Sequence, residues 1–190
     1  IMRCREFYMK DAYSFDLSSE DAKVAYNKMF VSYLKTFARM ELTAIPMEAD
    51  TGPIGGDLSH EFIILAETGE SQIFADKRIF EINLDKYDFS DDSLSKIRKD
   101  FTDIYAVTDE KFDEEKFNKE VDKKNQIKTK GIEVGHIFYF GDKYSKPMNC
   151  LIDDKSGKKV SVKMGSYGIG VSRLVGAAIE ANYNNGIMKW

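Results

Sequence analysis

Residues 164–180, MGSYGIGVSRLVGAAIE, join a glycine-rich segment directly to an amphipathic helix, and they constrain the fold more than any other part of the chain. Gly165, Gly168 and Gly170 favour a tight turn whose backbone can approach a ligand closely. Apolar residues then recur at helical spacing; they are Val171, Leu174, Val175, Ala178 and Ile179. Arg173 falls at the helix N-terminus, where a cation can bind an anion or lie over an aromatic ring. Taken alone, the stretch also fits a structural turn with a surface arginine.

The beginning of the chain carries a second chemically suggestive pattern. If residues 3–11 form a strand, its two-residue period places one set of side chains on a single face: Arg3, Arg5, Phe7, Met9 and Asp11. Arginine, an aromatic ring and a carboxylate together can bind phosphates, stack on a base and anchor the surrounding network. Taken alone, the segment also fits a half-buried strand with a solvated charged end.

Hydrophobic periodicity along the rest of the chain predicts one α+β domain, an antiparallel sheet flanked by helices. Ser18 or Ser19 can cap a helix that reaches about Met40 and buries one apolar stripe. Strands are predicted at residues 42–48, 61–67, 133–140, 149–153 and 160–164, and a Asp-Lys-Ser-Gly turn joins the last two into a hairpin. With 190 residues and 43% hydrophobic content, the chain can bury a core of its own.

The segment from about residue 76 to residue 130 reads as a small helical insertion. Its apolar residues recur at helical spacing; they are Leu94, Ile97, Phe101, Ile104 and Tyr105. The run DEKFDEEKFNKEVDKK that follows mixes both signs of charge densely, which is typical of a solvated helix or a mobile loop.

Composition excludes several classes of protein. A net charge of −4 argues against broad electrostatic attachment to RNA, so any such contact must come from local patches. The two cysteines, Cys4 and Cys150, lack metal-ligand spacing, and reduced thiols in a cytoplasmic protein are expected. The sequence shows neither a bilayer-spanning apolar run nor a signal-peptide pattern, so no membrane association is expected.

Four segments in order carry a resemblance to a known family: MRCREFYMKDAYSFD, ADTGPIGGDLSHEF, GIEVGHIFYFGDKYS and GSYGIGVSR. The first and last resemble motifs 2 and 3 of class II aminoacyl-tRNA synthetases, and all four together resemble the bacterial-type prolyl-tRNA synthetases. The resemblance covers nearly the whole chain and is weakest at residues 79–130. It implies a partial class II catalytic core that activates proline with ATP and Mg²⁺ and transfers it to tRNA(Pro). It also implies a cytoplasmic enzyme that is a homodimer at full length.

The resemblance also assigns roles to residues of this chain. Arg3 would contact the γ-phosphate of ATP, Met2 would offer its backbone to the adenine edge, and Phe7 would stack on adenine. Arg173 would cover the other face of the ring, and Gly168 and Gly170 would let the backbone approach the nucleotide. These residues match the two sequence motifs at the ends of the chain.

A second group of residues would form the amino-acid pocket. Asp11 occupies the position of a carboxylate near that pocket, and His60 and His136 lie in segments that line it. Either histidine can instead be a hydrogen-bonded core residue; the two interpretations are even for His60, and the pocket is favoured for His136. Glu133 would help to hold Mg²⁺.

The sequence departs from the family pattern at both ends. Motif 1 and the first strand of motif 2 have no counterpart, and an anticodon-binding domain does not follow residue 190, so we expect a fragment of a longer enzyme with little activity in isolation. The insertion at residues 76–130 is too short for the family's editing domain, which indicates the compact form that lacks it. Two alternatives are a synthetase-like paralogue that binds or activates an amino acid without charging tRNA, and a non-enzymatic interaction module.

Overall fold

A computed structural model of the protein describes residues 3–50 and 58–188. Over these ranges the helices are α1 (Ser19–Arg39), α2 (Leu94–Thr102), α3 (Glu114–Glu120) and α4 (Val171–Asn182). The strands are β1 (Met9–Asp16), β2 (Ala44–Glu48), β3 (Leu58–Leu65), β4 (Ser71–Asp76), β5 (Ala106–Thr108), β6 (Gln126–Gly141), β7 (Leu151–Asp153), β8 (Lys159–Ser161), β9 (Lys163–Gly170), β10 (Tyr183–Asn184) and β11 (Ile187–Met188).

Seven of the described strands form one sheet, in the order β1-β9-β6-β3-β2-β5-β4. Its neighbouring strands are antiparallel except β2 and β5, which are parallel. The predicted α+β fold with an antiparallel sheet is therefore confirmed, with one parallel pair. The 16-residue strand β6 pairs with β4 through its first part and with β3 and β9 through its later part. It therefore connects the two halves of the sheet.

Helix α1 covers one face of this sheet and supplies much of the core. It begins after Ser18, whose side chain accepts a hydrogen bond from the backbone N–H of Asp21 at 3.0 Å, as expected of an N-cap. The apolar stripe predicted from the sequence is buried and packs its rings against Phe62 of β3. The prediction of this helix and its capping residue is confirmed.

Two local predictions near the chain ends are wrong. The first strand begins at Met9 and not at Arg3, so the alternation proposed for residues 3–11 holds only from Met9 onward. The glycine-rich stretch before α4 is not a turn; it is strand β9, paired with β1 on one side and β6 on the other. Gly168 and Gly170 leave the end of one face of β9 without side chains, while Tyr167 and Ile169 fill the core on the other face.

The predicted apolar stripe of α4 is only partly buried. Of the predicted stripe Leu174 enters the core, whereas Val171 and Val175 are 43% and 49% exposed; Ala177, which lies outside that stripe, is buried as well. The helix therefore rests on the sheet through a narrower face than its apolar residues suggest.

Residues 76–130 contain both helices and strands. Helix α2 buries Leu94, Ile97 and Phe101, and within the charged run α3 buries Phe117 completely. The same segment contributes β5 and the first residues of β6 to the central sheet. Helix α2 is therefore packed into the main core, whereas Phe117 of α3 packs in an aromatic cluster with Phe74, Tyr105 and Phe112.

The predicted hairpin after residue 149 is confirmed as the pair β7 and β8, a small sheet of its own. The thiols of Cys4 and Cys150 are free and exposed. Among the described residues, the helices include none with the length and apolar character needed to cross a membrane.

Candidate active site

The face of the sheet away from α1 carries the polar residues. Side chains alternate across a strand, so His60 and Phe62 of β3 point toward α1 while Ser59 and Glu61 lie on the opposite face. On β6, His136 is paired directly opposite Glu61. The polar groups of two neighbouring strands therefore meet on one surface.

A cavity of about 400 Å³ opens on this face, between β1, β9, β6 and the start of α4. It is lined by Arg3, Cys4, Phe7, Met9, Asp11, Glu133, Val134, Gly135, His136, Phe138, Ser166, Gly168, Gly170 and Arg173. Most of the residues singled out from the sequence are therefore brought together. Arg5 is exposed and is not among the lining residues, and Met2 lies outside the described residues, as do residues 51–57 of the second family segment.

A β-bulge brings Glu133 to the cavity. Along β3 and β6, Phe62 pairs with Gly135 but Ile63 pairs with Glu133, so Val134 is left over. Without this shift, Glu133 and His136 would lie on opposite faces of β6, because they are three residues apart. With it, a carboxylate oxygen of Glu133 lies 3.3 Å from Nδ1 of His136.

Arg173, on the first turn of α4, is held by Glu133. Its Nη1 donates hydrogen bonds to the backbone oxygen of Glu133 at 3.0 Å and to Oε2 at 3.1 Å. Burial alone would raise the pKa of the Glu133 carboxyl. The contacts with His136 and Arg173 outweigh that effect and lower the pKa below its ordinary value. Glu133 is therefore an ionised anchor for the cation.

Glu61 is a site residue that the sequence analysis did not identify. Burial, followed by repulsion from Glu133, raises the pKa of its carboxyl to about 8. Ligand atoms of Glu61, Glu133 and His136 all lie within 4.8 Å of one another. The two carboxylates suit Mg²⁺, which prefers oxygen ligands, while the imidazole is better suited to transition metals. Glu61 follows His60 in the SHEF segment. Strand alternation would place these two side chains on opposite faces of β3, and this is the sequence signal that points to Glu61.

His136 is held on three sides. Its Nδ1 faces Glu133 and, at 3.7 Å, Glu61; its Nε2 lies 2.7 Å from Oγ of Ser59; and its ring stacks on Phe138 at 3.8 Å between centroids. Ser59 is 4% exposed and was not identified from the sequence either. This arrangement fixes both the position and the orientation of the imidazole.

The segment before β1 forms the cavity mouth. Phe7 is 56% exposed at the lining, and the backbone of Tyr8 is joined to Ser172 by a hydrogen bond to its hydroxyl at 2.9 Å. Arg3 pairs with Glu70 at 2.8 Å, and both side chains are more than half exposed. A pair so exposed contributes little to stability, so Arg3 can exchange its partner for a bound anion at small cost.

His60 lies in the core behind the site. The described residues that line the cavity do not include His60. Its side chain is 5% exposed, and its Nδ1 lies 2.6 Å from the hydroxyl of Tyr26. Burial lowers the pKa of His60 to about 3, with a smaller contribution from Arg98. The ring is therefore neutral and shares a hydrogen bond with the Tyr26 hydroxyl.

Gly168 keeps the floor of the cavity open. A Cβ atom at this position would lie 3.1 Å from Cε of Met9 and 3.5 Å from Oδ1 of Asp11. The absence of a side chain thus leaves space between Asp11 of β1 and His136 of β6, which flank Gly168 in register. Close approach of a ligand to backbone is what the sequence analysis expected of this glycine.

The sequence model of the family "tRNA synthetase class II core domain (G, H, P, S and T)" matches residues 1–182. The chain belongs to this family. Its resemblance to class II synthetases, stated from four short segments, is therefore confirmed.

Within this family, the chain is similar to curated proline–tRNA ligases. The chain is 64% identical over 192 residues to a proline–tRNA ligase of Pelagibacter ubique, covering 100% of this chain and 43% of the relative. It is 58% identical to the proline–tRNA ligase of Parvibaculum lavamentivorans, covering 100% of this chain and 44% of that protein. The chain thus spans less than half the length of these relatives.

A solved structure supports the fold. The prolyl-tRNA synthetase of Giardia lamblia in complex with prolyl-adenylate aligns with 93% of this chain and 24% of its own, with a TM-score of 0.56 and 12% identity. At this identity the likeness shows the fold alone. It confirms the partial class II catalytic core.

Proposed function

We propose that this chain is part of an enzyme that activates proline with ATP and transfers it to tRNA(Pro). One observation carries the proposal: Phe7 and Arg173, assigned to the nucleotide, line the same cavity as His136, assigned to the amino acid. The cavity volume of about 400 Å³ falls in the range of small-molecule sites. The 64% and 58% identical proline–tRNA ligases support proline as the amino acid.

The nucleotide side of the cavity would be formed by the two ends of the chain. Phe7 would stack on one face of adenine and Arg173 would lie on the other, a combination of aromatic and cation–π contacts. Arg3 would exchange Glu70 for the γ-phosphate. Gly168 and Gly170, which line the cavity without side chains, would admit the nucleotide close to the backbone.

The amino-acid side would be formed by Asp11 and His136. A small imino acid needs close walls and a few fixed polar groups, and His136 is fixed by contacts on three sides. His60 would act from the core, through the packing of β3, because it does not line the cavity.

Glu133, with Glu61, would hold Mg²⁺ on this face. The ion would neutralise charge on the phosphates, and metal binding at Glu61 would require loss of the proton that its raised pKa favours. The carboxylates fit this role and the imidazole of His136 does not, so we assign His136 to the amino acid.

The reaction needs no nucleophile from the protein. A carboxylate oxygen of proline attacks the α-phosphate of ATP, a new oxygen–phosphorus bond forms, and pyrophosphate leaves with the electron pair of the broken bond. The protein contributes orientation and stabilisation of negative charge. Arg3 and Arg173 are suited to that purpose because guanidinium groups bind phosphate oxygens in a planar, directional manner.

Proline-dependent exchange of pyrophosphate into ATP by the full-length protein tests the proposal. Exchange with proline and charging of tRNA(Pro) are expected. Exchange without charging favours the paralogue that only activates an amino acid, and exchange with serine or threonine but not proline contradicts the assignment. Absence of exchange with any amino acid favours the interaction module.

Three further properties belong to the same proposal: a homodimer at full length, a cytoplasmic location, and little charging activity of the 190 residues in isolation. Light scattering of the full-length protein tests the first property. Fractionation of cells tests the second. Aminoacylation by the isolated chain at the rate of the full-length enzyme contradicts the third.

We also propose that residues 76–130 stand in place of an editing domain. Helix α2 buries its apolar side chains in the main core and β5 joins the central sheet, while Phe117 of α3 packs against Phe74 of β4, so the segment is built onto that sheet. The enzyme would then not hydrolyse alanyl-tRNA(Pro). Incubation of the purified full-length protein with that substrate tests this, and hydrolysis well above the enzyme-free rate contradicts it.

A further inference from the structure

We propose that Ser59 is a positioning residue, which fixes the ring orientation and the tautomer of His136 and thereby sets the affinity of the cavity for the amino acid. The proposal rests on the proposed function, because it names a residue that acts behind the amino-acid side of the same site. Ser59 itself is not among the lining residues of the cavity, and it acts through its contact with His136.

The contacts of the ring decide its tautomer. Nδ1 of His136 lies 3.3 Å from a carboxylate oxygen of Glu133, and an ionised carboxylate only accepts hydrogen bonds. In the neutral ring, Nδ1 therefore carries the proton. Nε2 must then accept, and the hydroxyl of Ser59, 2.7 Å away, is the donor.

The same contacts decide the ring orientation. Turning the imidazole over would place its carbon atoms against the hydroxyl of Ser59 and the carboxylate of Glu133, so both polar groups would lose a partner. Stacking on Phe138 restrains the ring plane but favours neither of these two orientations. Ser59 and Glu133 therefore act together, one at each nitrogen.

Strand register explains why the serine reaches the histidine. Ser59 and Glu61 lie two residues apart on β3 and share a face, and they pair opposite Phe138 and His136. The hydroxyl therefore lies diagonally across the ladder from the imidazole, within hydrogen-bond distance. The short serine side chain is buried at 4% exposure, so water does not readily replace it.

Arg173 should be little affected by a change at Ser59. Its Nη1 also donates to the backbone oxygen of Glu133, a contact that does not depend on His136. Loss of the hydroxyl should therefore weaken binding of the amino acid more than binding of ATP. This asymmetry separates a positioning role from a general disturbance of the sheet.

The test compares three variants of the full-length protein in pyrophosphate exchange: Ser59→Ala, Ser59→Thr and Ser14→Ala. Ser14 is the matched control, because its hydroxyl also contacts an aromatic residue, lying 2.9 Å from the hydroxyl of Tyr167. Ser14 is not among the residues that line the cavity. Ser59→Ala should raise the KM for proline roughly 3- to 10-fold, the loss expected for one hydrogen bond, with the KM for ATP and kcat nearly unchanged. Ser59→Thr should restore the KM, and Ser14→Ala should leave it unchanged.

An unchanged KM for proline in Ser59→Ala overturns the proposal, as does an equal rise in both KM values or the same rise in Ser14→Ala. A second measurement needs no variant at Ser59 to fold. In a two-bond ¹H–¹⁵N spectrum, with His136→Gln assigning the signal, the neutral ring should be protonated at Nδ1; protonation at Nε2 overturns the proposal. If the wild-type protein shows no exchange with proline, the proposed function fails, whereas the spectrum still tests the Ser59 contact.

Discussion

Nη1 of Arg173 donates hydrogen bonds to both the backbone oxygen and the carboxylate of Glu133, at 3.0 and 3.1 Å. The two residues are 40 positions apart and belong to α4 and β6. The contact fixes the first turn of the helix over the strand that carries His136. The direction of the guanidinium is thus set by the protein before any ligand binds.

Replacement of Arg173 by lysine should therefore lower activity nearly as much as replacement by alanine. Lysine keeps the charge but loses the planar group that spans the nucleotide and Glu133. We expect kcat/KM for pyrophosphate exchange to fall about 10- to 100-fold in both variants, as for loss of charge-assisted hydrogen bonds. Arg39→Lys, at the exposed end of α1, is the control. Full activity of Arg173→Lys would show that only its charge matters.

Glu61 should make the protein less stable as pH rises. The folded state, with a pKa of about 8, holds a proton that the unfolded chain loses near 4.5. The stabilisation is complete below the lower value and is lost as pH rises through the higher one. From about pH 6.5 to 8, Glu61 should lower the free energy of unfolding by about 1 to 2 kcal/mol, and His60, which is half protonated in the unfolded chain at pH 6.5, should offset roughly a quarter of that fall.

Urea denaturation at the two pH values measures this effect. Glu61→Gln keeps the shape of the protonated side chain, so its stability should change little over the interval and exceed that of the wild type at alkaline pH. Glu67→Gln changes an exposed carboxylate just beyond β3 and should retain the wild-type slope. An equal slope in the wild type and Glu61→Gln would refute the assignment.

The two histidines should separate stability from activity. His60→Ala removes a buried ring and the hydrogen-bond partner of the Tyr26 hydroxyl, and should cost about 2 to 4 kcal/mol of stability with kcat unchanged. His136→Ala should leave stability nearly unchanged and raise the KM for proline, because this ring lines the cavity. Thermal denaturation and exchange assays on both variants make the comparison. A loss of kcat in fully folded His60→Ala would place that residue in the site after all.

The effect of His60→Ala should also depend on pH. The folded pKa of about 3 lies below the ordinary 6.5, so the neutral ring stabilises the protein above 6.5 and loses that contribution as pH falls. The difference in unfolding free energy between the wild type and His60→Ala should therefore shrink by about 1.4 kcal/mol for each pH unit below 6.5. A constant difference would show that His60 takes up a proton as readily in the folded protein as in the unfolded chain.

Local sequence predicted the elements whose signals are local. Helix α1 has a capping serine and an apolar stripe over 21 residues, so both its start and its buried face could be predicted. Strand β9 has neither; its glycines favour a turn in isolation, and it becomes a strand because β1 and β6 pair with it from both sides. Strand β5, with three residues, carries too short a pattern to detect.

In the candidate site, too, some residues could be predicted from local sequence and others depend on how the strands pair. Arg3, Phe7, Asp11, His136 and Arg173 could be selected from motifs, and they line one cavity. The position of Glu133 depends on the bulge at Val134, which exists only in the pairing of β6 with β3. Ser59 acts through its contact with His136, which lies 77 positions further along the sequence, and the periodicity of one strand cannot reveal such a contact.

Two glycines of β9 should respond differently to the same substitution. In Gly165→Ala the new Cβ would lie 2.1 Å from Oη of Tyr167, whose ring is 1% exposed and cannot move aside. We expect a loss of about 1 to 3 kcal/mol of stability, as for overpacking of a core. In Gly168→Ala the nearest atom, at 3.1 Å, is the flexible end of Met9, so stability should change by less than about 1 kcal/mol.

Substrate binding should be affected in the opposite order, more by Gly168→Ala than by Gly165→Ala. The methyl group of Gly168→Ala would enter the floor of the cavity between Asp11 and His136 and should raise the KM for ATP or proline several-fold. Folded Gly165→Ala should keep wild-type KM values, because Gly165 is not among the lining residues of the cavity within the described chain. Melting temperatures and KM values of the two variants are compared side by side. If Gly168→Ala binds both substrates normally, the backbone at Gly168 is not in contact with either of them, and the ligand occupies the cavity nearer to α4.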